Sequence, residues 1–230
     1  MKIVLPLLCA VLVAGGWTWE RHGRAANEGT LAAVASDLAG RPVRIECQSL
    51  WADLADINGR LGDVPFPDGH PAAHTYLTRA ICGRLGRFRS ASSHPELVCL
   101  LAVDWSAWSW QSESDFYSPC AVRARPMTEA LLTLSHESMH LRGWRDEVAA
   151  QCYGIEEVAY TVERLGGTLA EGKAVAQFAL VMQPGMPDEY QSGECRAGGG
   201  LDLHPETPAF PAEDAPQPPP AGLYGPALLR

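Results

Sequence analysis

Apolar residues recur at helical spacing in several segments of the chain. Leu31, Val34 and Leu38 fall on one helix face and predict a helix over residues 28–39. The same periodicity predicts four further helices, over residues 74–87, 127–140, 145–165 and 168–182. Pro126 is expected in the first turn of the helix that contains Met127, because the missing N–H of proline is tolerated there.

Other stretches predict little β-structure. Residues 43–47 alternate between apolar and polar and predict a short strand, whereas the apolar run at 97–103 fits a strand or a buried helix. Gly and Pro punctuate residues 51–70, where we expect a loop. Aromatic residues are frequent at 104–120 and are expected to pack in the core or in a loop. The pattern therefore predicts a mainly α (α+β) domain with one or two short strands.

The segment from His136 to His140 has the sequence H-E-x-x-H and falls on a predicted helix. Residues four apart share one helix face, about 6 Å apart along the axis, so both imidazoles can bind one metal ion. Glu137 is placed to reach a water on that metal. Two His ligands, a carboxylate base and an open position are typical of zinc hydrolases. The motif therefore predicts a Zn²⁺ site with Glu137 as the catalytic base.

A third protein ligand is expected after the motif. On an unbroken helix Glu147 would lie about 10.5 Å beyond His140, too far to share its metal. Gly143 can end the helix in a left-handed conformation and turn the chain back. Glu147 and Asp146 are then the two candidates for the third ligand.

Two known families resemble this stretch and imply different ligands. From His136 to Asp146 the sequence H-E-x-x-H-x-x-G-x-x-D resembles the metzincin signature in its snapalysin-like form, which implies Asp146. From Glu147 to Gly154 the sequence E-x-x-A-Q-C-Y-G resembles the second helix of gluzincins, in particular the neutral zinc metallopeptidases, which implies Glu147. Gln151 stands where that family has Asp, and Gly154 comes one position early. We favour the gluzincin resemblance, which implies a small zincin-like domain with Glu147 in the first turn of a ligand helix.

Other residues near the motif are expected to be structural. A second donor to the reacting carbonyl could come from Tyr153, Tyr190 or His204, and the sequence assigns none of them. Acidic residues farther along the second helix are expected on its solvated face: Glu156, Glu157 and Glu163. Met182 and Met186 are candidates for the methionine turn that the metzincin resemblance implies.

The first residues resemble an export signal. Lys2 precedes an apolar stretch from Ile3 to Trp17, which is short for a membrane span of about 20 residues. Residues 1–26 are therefore predicted to be a signal peptide or, alternatively, a signal anchor. We assign residues 27–203 to the catalytic domain and the Pro/Gly-rich residues 204–230 to a disordered tail.

Six cysteines remain after this signal: Cys47, Cys82, Cys99, Cys120, Cys152 and Cys195. An even number in an exported chain predicts up to three disulfides, with 15 possible pairings. Pairing Cys152 with Cys195 would tie the C-terminal segment over the metal site. This composition predicts a secreted or cell-envelope location.

The charge pattern narrows the classes of partner that we expect this chain to bind. The net charge is −9 and the basic residues are scattered, which argues against nucleic acid or an anionic membrane as a partner. We expect membrane association only if the N-terminal segment is an uncleaved anchor.

The sequence therefore predicts an exported zinc metallopeptidase that hydrolyses protein or peptide substrates with a zinc-bound water and Glu137. The alternatives are an inactive zinc-binding envelope or interaction module, and a disulfide-stabilised helical protein with a fortuitous motif.

Overall fold

Helices make up most of the structure, a computed structural model that describes residues 24–49, 60–105, 107, 115 and 117–211. The first helix, α1, covers residues 24–39. Five further helices have both bounds within the described residues: α2 (Arg79–Ser90), α3 (Pro95–Val98), α4 (Pro119–Arg142), α5 (Glu147–Arg164) and α6 (Leu169–Met182). The described chain is therefore mainly α with a small sheet, as the hydrophobic pattern predicts.

Side-chain caps define where helices α4, α5 and α6 begin. Ser118 accepts a hydrogen bond from the Ala121 N–H and Pro119 occupies the first turn, so α4 begins two turns before the predicted position. The prediction that Pro126 lies in the first turn is wrong, because it lies inside this longer helix. Asp146 caps α5, and a reciprocal capping box of Thr168 and Glu171 begins α6.

Three strands of the described residues form one small sheet in the order β1–β3–β2. They are β1 (Arg44–Cys47), β2 (Gly62–Asp63) and β3 (His74–Leu77). β3 pairs in parallel with β1 and antiparallel with β2, so β2 is an edge strand. This edge lies close to α4 and contributes to the candidate site.

The predicted helix at 74–87 is wrong over its first turn. Thr75 and Leu77 are buried while Tyr76 is exposed, an alternation that fits the strand pairing of β3. Helix α2 begins only after Thr78, whose side chain accepts a hydrogen bond from the Ile81 N–H. The loop predicted at 51–70 contains β2 and a short 3₁₀ turn, and its residues 51–59 lie outside the described part.

The apolar run at 97–103 resolves to helix. It covers the end of α3 and a 3₁₀ turn at Cys99–Ala102, with Leu97 and Leu100 buried. From the aromatic stretch, Trp105 packs against Phe178, with ring centroids 6.1 Å apart, while Trp108, Trp110 and Phe116 lie outside the described residues.

Helix α4 lies at the centre of the packing and contacts α5, α2 and the sheet. Its buried residues Leu131, Leu134 and Met139 join one large core cluster with residues of α1, α2, α5 and α6. Since the H-E-x-x-H motif lies on the last two turns of this central helix, its side chains are held by a rigid framework.

All six cysteines predicted to pair form disulfides: Cys47–Cys82, Cys99–Cys120 and Cys152–Cys195. The disulfide prediction is confirmed, including the pairing of Cys152 with Cys195. Three disulfides indicate an oxidising, extracytoplasmic compartment. Among the helices described, none has the length and apolar character required to cross a membrane. The predicted signal segment, apart from residues 24–26, lies outside the described residues.

Candidate metal centre

The two histidines of the motif face each other across one turn of α4. The Nε2 atoms of His136 and His140 lie 3.0 Å apart, and the ring centroids lie 4.6 Å apart. Both side chains are buried in the described structure. Helical geometry alone accounts for this arrangement, because positions four residues apart share a face.

The chain reverses direction immediately after the motif. Gly143 caps α4 with φ of 123°, in the positive-φ region that favours glycine. The Gly143 and Trp144 N–H groups donate to the carbonyls of His140 and Met139, which closes the helix end. The turn brings Glu147, the first residue of α5, back to the two histidines.

The Glu147 carboxylate completes a group of three ligand atoms. Its Oε2 lies 3.2 Å from His136 Nε2 and 3.1 Å from His140 Nε2. These three side chains could hold a metal ion. The side chain of Asp146, the alternative third ligand, caps α5 by accepting a hydrogen bond of 2.9 Å from the Ala149 N–H. The structure therefore brings together His136, His140 and Glu147 and leaves Asp146 out of the group.

The spacing of the three atoms fits a tetrahedral metal. Zinc binds imidazole nitrogen and carboxylate oxygen at about 2.0–2.2 Å, and a tetrahedral site separates neighbouring ligands by about 3.3 Å. The observed separations are 3.0, 3.1 and 3.2 Å. The three separations are therefore close to those between the ligands of a tetrahedral site.

A backbone contact fixes the orientation of one imidazole. His140 Nδ1 donates to the Trp144 carbonyl at 2.6 Å, so its Nε2 carries the lone pair toward the cluster. The buried Gln151 amide lies close enough to influence the pKa of His136. Among the described residues, however, neither His136 Nδ1 nor Gln151 Nε2 has a hydrogen-bond partner. The outer support of His136 is thus weaker than that of His140.

The charges of the cluster favour a cation. Hydrogen bonds with His136 and His140 hold the pKa of Glu147 well below its ordinary value. Burial lowers the pKa of His136. For His140 burial also acts against the charge, but the hydrogen bond to Glu147 and the nearby carboxylates raise its pKa overall. An ionised carboxylate and two imidazoles in one site are ligands that a divalent metal can bind in place of protons.

Glu137 lies beside the cluster and against the edge strand. It is buried, and this burial raises the pKa of Glu137 to about 8. Its Oε2 lies 3.4 Å from the Thr75 hydroxyl. A Cβ at Gly62 would lie only 2.5 Å from Glu137 Oε1, so β2 can approach this closely only with glycine. Sequence reasoning missed Gly62 and Thr75, since neither belongs to a motif.

Another glycine controls the distance between the two ligand helices. A Cβ at Gly154 would lie 3.0 Å from the backbone N and Cα of His136. Gly154 therefore permits the close packing of α5 on α4 that carries Glu147 to the histidines. The sequence marked this glycine only as a departure from the gluzincin pattern, because the contact it makes is between distant residues.

The cluster opens into a cavity of about 790 Å³, within the usual size of small-molecule and peptide pockets. The walls come from β2 and its flanking residues, from α4, and from the segment that follows α6. Tyr190 lines this cavity, with its ring centroid 5.8 Å from that of His136. Met182 and Met186 also line it. A bound ion would therefore be accessible to a substrate.

The remaining sequence candidates lie elsewhere. Tyr153 packs against Trp144, with centroids 4.7 Å apart, as a core residue. His204 is buried against Glu157 at 3.2 Å, on another part of α5. The prediction that Glu156 and Glu157 lie on a solvated face is wrong, because both are fully buried, whereas Glu163 is exposed. The C-terminal segment covers that face, and nothing in the local helical pattern indicates it.

Comparison with known proteins finds no match to this chain among family models, curated proteins or solved structures.

Proposed function

We propose that this protein is an exported zinc metallopeptidase of the H-E-x-x-H type. The observation that carries the proposal is the convergence of His136, His140 and Glu147 on one point that faces an open cavity, with Glu137 beside it. The gluzincin-like ligand set, with Glu147 rather than Asp146, is part of the proposal. The three disulfides support an extracytoplasmic site of action.

Zinc is the metal that suits these donors best. Two imidazoles and one carboxylate in a tetrahedral arrangement with a free fourth position are characteristic of catalytic zinc. When bound, zinc would acidify a water and polarise the carbonyl of a substrate. His136, His140 and Glu147, which line the cavity, would hold this ion.

Glu137 acts as the general base and then as the acid. Its carboxylate accepts a proton from the attacking water and passes it to the leaving amine. In the absence of a metal, burial raises the pKa of Glu137 to about 8. A divalent cation at the neighbouring cluster favours the ionised carboxylate, which is the form that a base requires. This side chain packs against Gly62 of the edge strand β2, and its Oε2 lies 3.4 Å from the Thr75 hydroxyl of β3.

The test is the substitution Glu137→Gln in the zinc-loaded protein. We expect zinc content to remain at one per chain and hydrolysis of a peptide library to fall by about 10³-fold or more, because the amide cannot take the proton. Elemental mass spectrometry measures the metal, and mass spectrometry of the peptides measures cleavage. Glu163→Gln on the exposed face of α5 is the matched control and should retain both properties.

Two results would contradict the proposal. Full activity in the Glu137→Gln variant would remove Glu137 from the role of base. Zinc bound at His136 and His140 without hydrolysis of any peptide by the wild type would instead support an inactive zinc-binding module.

A further inference from the structure

Arg145 is a cationic side chain that lines the same cavity as the proposed zinc ligands. It belongs to the turn between α4 and α5, between His140 and Glu147 in the chain. The position of this turn is fixed at both ends by residues of the cluster. Arg145 is exposed, so a ligand in the cavity can reach it.

An aromatic side chain connects Arg145 to the cluster. The guanidinium carbon lies 6.0 Å from the centroid of the Phe66 ring, within the range of a cation–π contact. Phe66 in turn packs edge-on against His140, with centroids 5.9 Å apart. This contact holds the planar guanidinium beside the cluster while its N–H donors stay available.

Several other charges of the cavity have partners, whereas the carboxylates of Glu137 and Glu189 line it without an ion pair among the described residues. Arg60 pairs with Asp63 at 2.7 Å, and Glu147 contacts the two histidines. Glu129 lies 3.9 Å from Arg84. In the part of the chain that the structure describes, no ion pair joins Arg145 to a carboxylate, although the chain has 27 acidic and only 18 basic residues. Arg145 is therefore a guanidinium of the cavity lining that no carboxylate pairs with among the described residues.

We propose that Arg145 binds a carboxylate of the peptide substrate and so determines specificity. This inference rests on the proposed peptidase function. A guanidinium presents two parallel N–H donors that match a carboxylate, whereas a neutral amide accepts far less strongly. The carboxylate comes either from the C-terminus of the peptide or from an Asp or Glu side chain near the cleaved bond. Substrates with such a group are preferred over their amides.

The experiment compares matched peptides on the zinc-loaded full chain. One set carries a single Glu or Gln at each position in turn, and each peptide is made with a free or an amidated C-terminus. We expect wild type to show a kcat/KM at least tenfold higher for one carboxylate form, the equivalent of one charge-assisted hydrogen bond. Arg145→Gln should bring this ratio close to one, and Arg145→Lys should give an intermediate ratio.

The control and the outcomes separate the two proposals. Arg123→Gln removes an exposed arginine of α4 that is not part of the cavity lining and should keep the wild-type ratio. Cleavage by wild type without a carboxylate preference would overturn the proposed role of Arg145 and leave the proposed peptidase function standing. A kcat/KM ratio that persists in Arg145→Gln would have the same meaning. Calorimetric binding of the same peptides to zinc-loaded Glu137→Gln gives an independent readout. If wild type cleaves none and this variant binds none, both proposals are wrong.

Discussion

Helix α5 contributes a glutamate to each of two Glu–His clusters, and the two clusters differ in their remaining partners and in their access to solvent. At its first residue, Glu147 meets His136 and His140 at the floor of an open cavity. About 15 Å farther along, Glu157 meets His204 in a place closed to solvent. The residue types are the same, so accessibility and the remaining hydrogen bonds distinguish a candidate reactive centre from a structural one.

The second cluster fastens the C-terminal segment. His204 contacts Glu157 at 3.2 Å through Nε2 and Glu206 at 3.1 Å through Nδ1. The Leu203 N–H donates to Glu156 Oε1 at 2.8 Å. The disulfide Cys152–Cys195 joins the same segment to the same helix. Both nitrogens of His204 are therefore engaged by protein groups, whereas the Nε2 atoms of the first cluster face only each other and Glu147.

The comparison shows that a histidine beside a glutamate does not identify a metal site. In the first cluster three ligand atoms meet at one point next to open space. In the second, the partners occupy opposite sides of a single imidazole. Convergence of lone pairs and access, rather than composition, favour a metal.

The largest expected effect is on zinc affinity, and it tests whether Glu147 is the third ligand of the first cluster. Glu147→Ala should lower zinc affinity by about 100-fold or more, because it removes a direct donor of the cluster. Asp146→Ala should change zinc affinity by less than about tenfold and lower the free energy of unfolding by about 1 kcal/mol, since it removes a helix cap. Competition with a chromophoric chelator measures the affinities. The reverse order would favour the metzincin-like ligand set.

The next effect sharpens the structural role of the second cluster. Glu157→Ala should lower the free energy of unfolding by about 1–3 kcal/mol, because it leaves Nε2 of the buried His204 without its partner while Nδ1 keeps Glu206. Zinc affinity should stay within a few-fold of wild type. Urea denaturation measures the stability, with the exposed Glu163→Ala as a control that should change it by less than about 0.5 kcal/mol. A loss of zinc binding equal to that of Glu147→Ala would contradict the separation of the two clusters.

The smallest effect concerns pH. Burial raises the pKa of Glu156 to about 8. It also raises the pKa of Glu157. A carboxyl with a raised pKa holds its proton more tightly in the folded state. Its contribution to stability is therefore full at low pH and is lost as pH rises from about 4.5 toward 8.

His204 changes stability in the same direction. Burial disfavours its charge, but the hydrogen bond to Glu157 raises the pKa of His204 overall, so its contribution is also lost at high pH. We expect wild type to be less stable at pH 8 than at pH 5. The neutral Glu156→Gln should reduce this difference by about 2 kcal/mol while Oε1 still accepts from Leu203. Urea denaturation at both pH values checks it, and an unchanged pH dependence would show that Glu156 is ionised in the folded protein.

Much of the helical framework was predictable because its signals are local. The spacing of apolar residues placed α1, α5 and α6 to within a few residues of their observed bounds, with the exception of an earlier start for α1. The strand at Arg44–Cys47 also follows from alternation. β3 did not, because its strand conformation depends on pairing with β1 and β2, which lie at a distance in the sequence.

The candidate site likewise combines features that have local sequence signals with features that depend on distant residues. The sequence by itself determined the pair His136 and His140, the neighbouring Glu137 and the turn at Gly143, because helix periodicity and glycine conformation are local properties. It also determined the number of cysteines available to pair. These features depend on residues no more than a few positions apart.

Only the tertiary structure decided between Glu147 and Asp146 as members of the cluster. The choice depends on the direction in which α5 leaves the turn, which is set by the close contact of Gly154 with His136. The position of Gly62 against Glu137 and the burial of Glu156 and Glu157 depend likewise on segments distant in sequence. Packing between remote elements has no periodic signature in one chain, and this is why the local pattern assigned the two glutamates to the solvent.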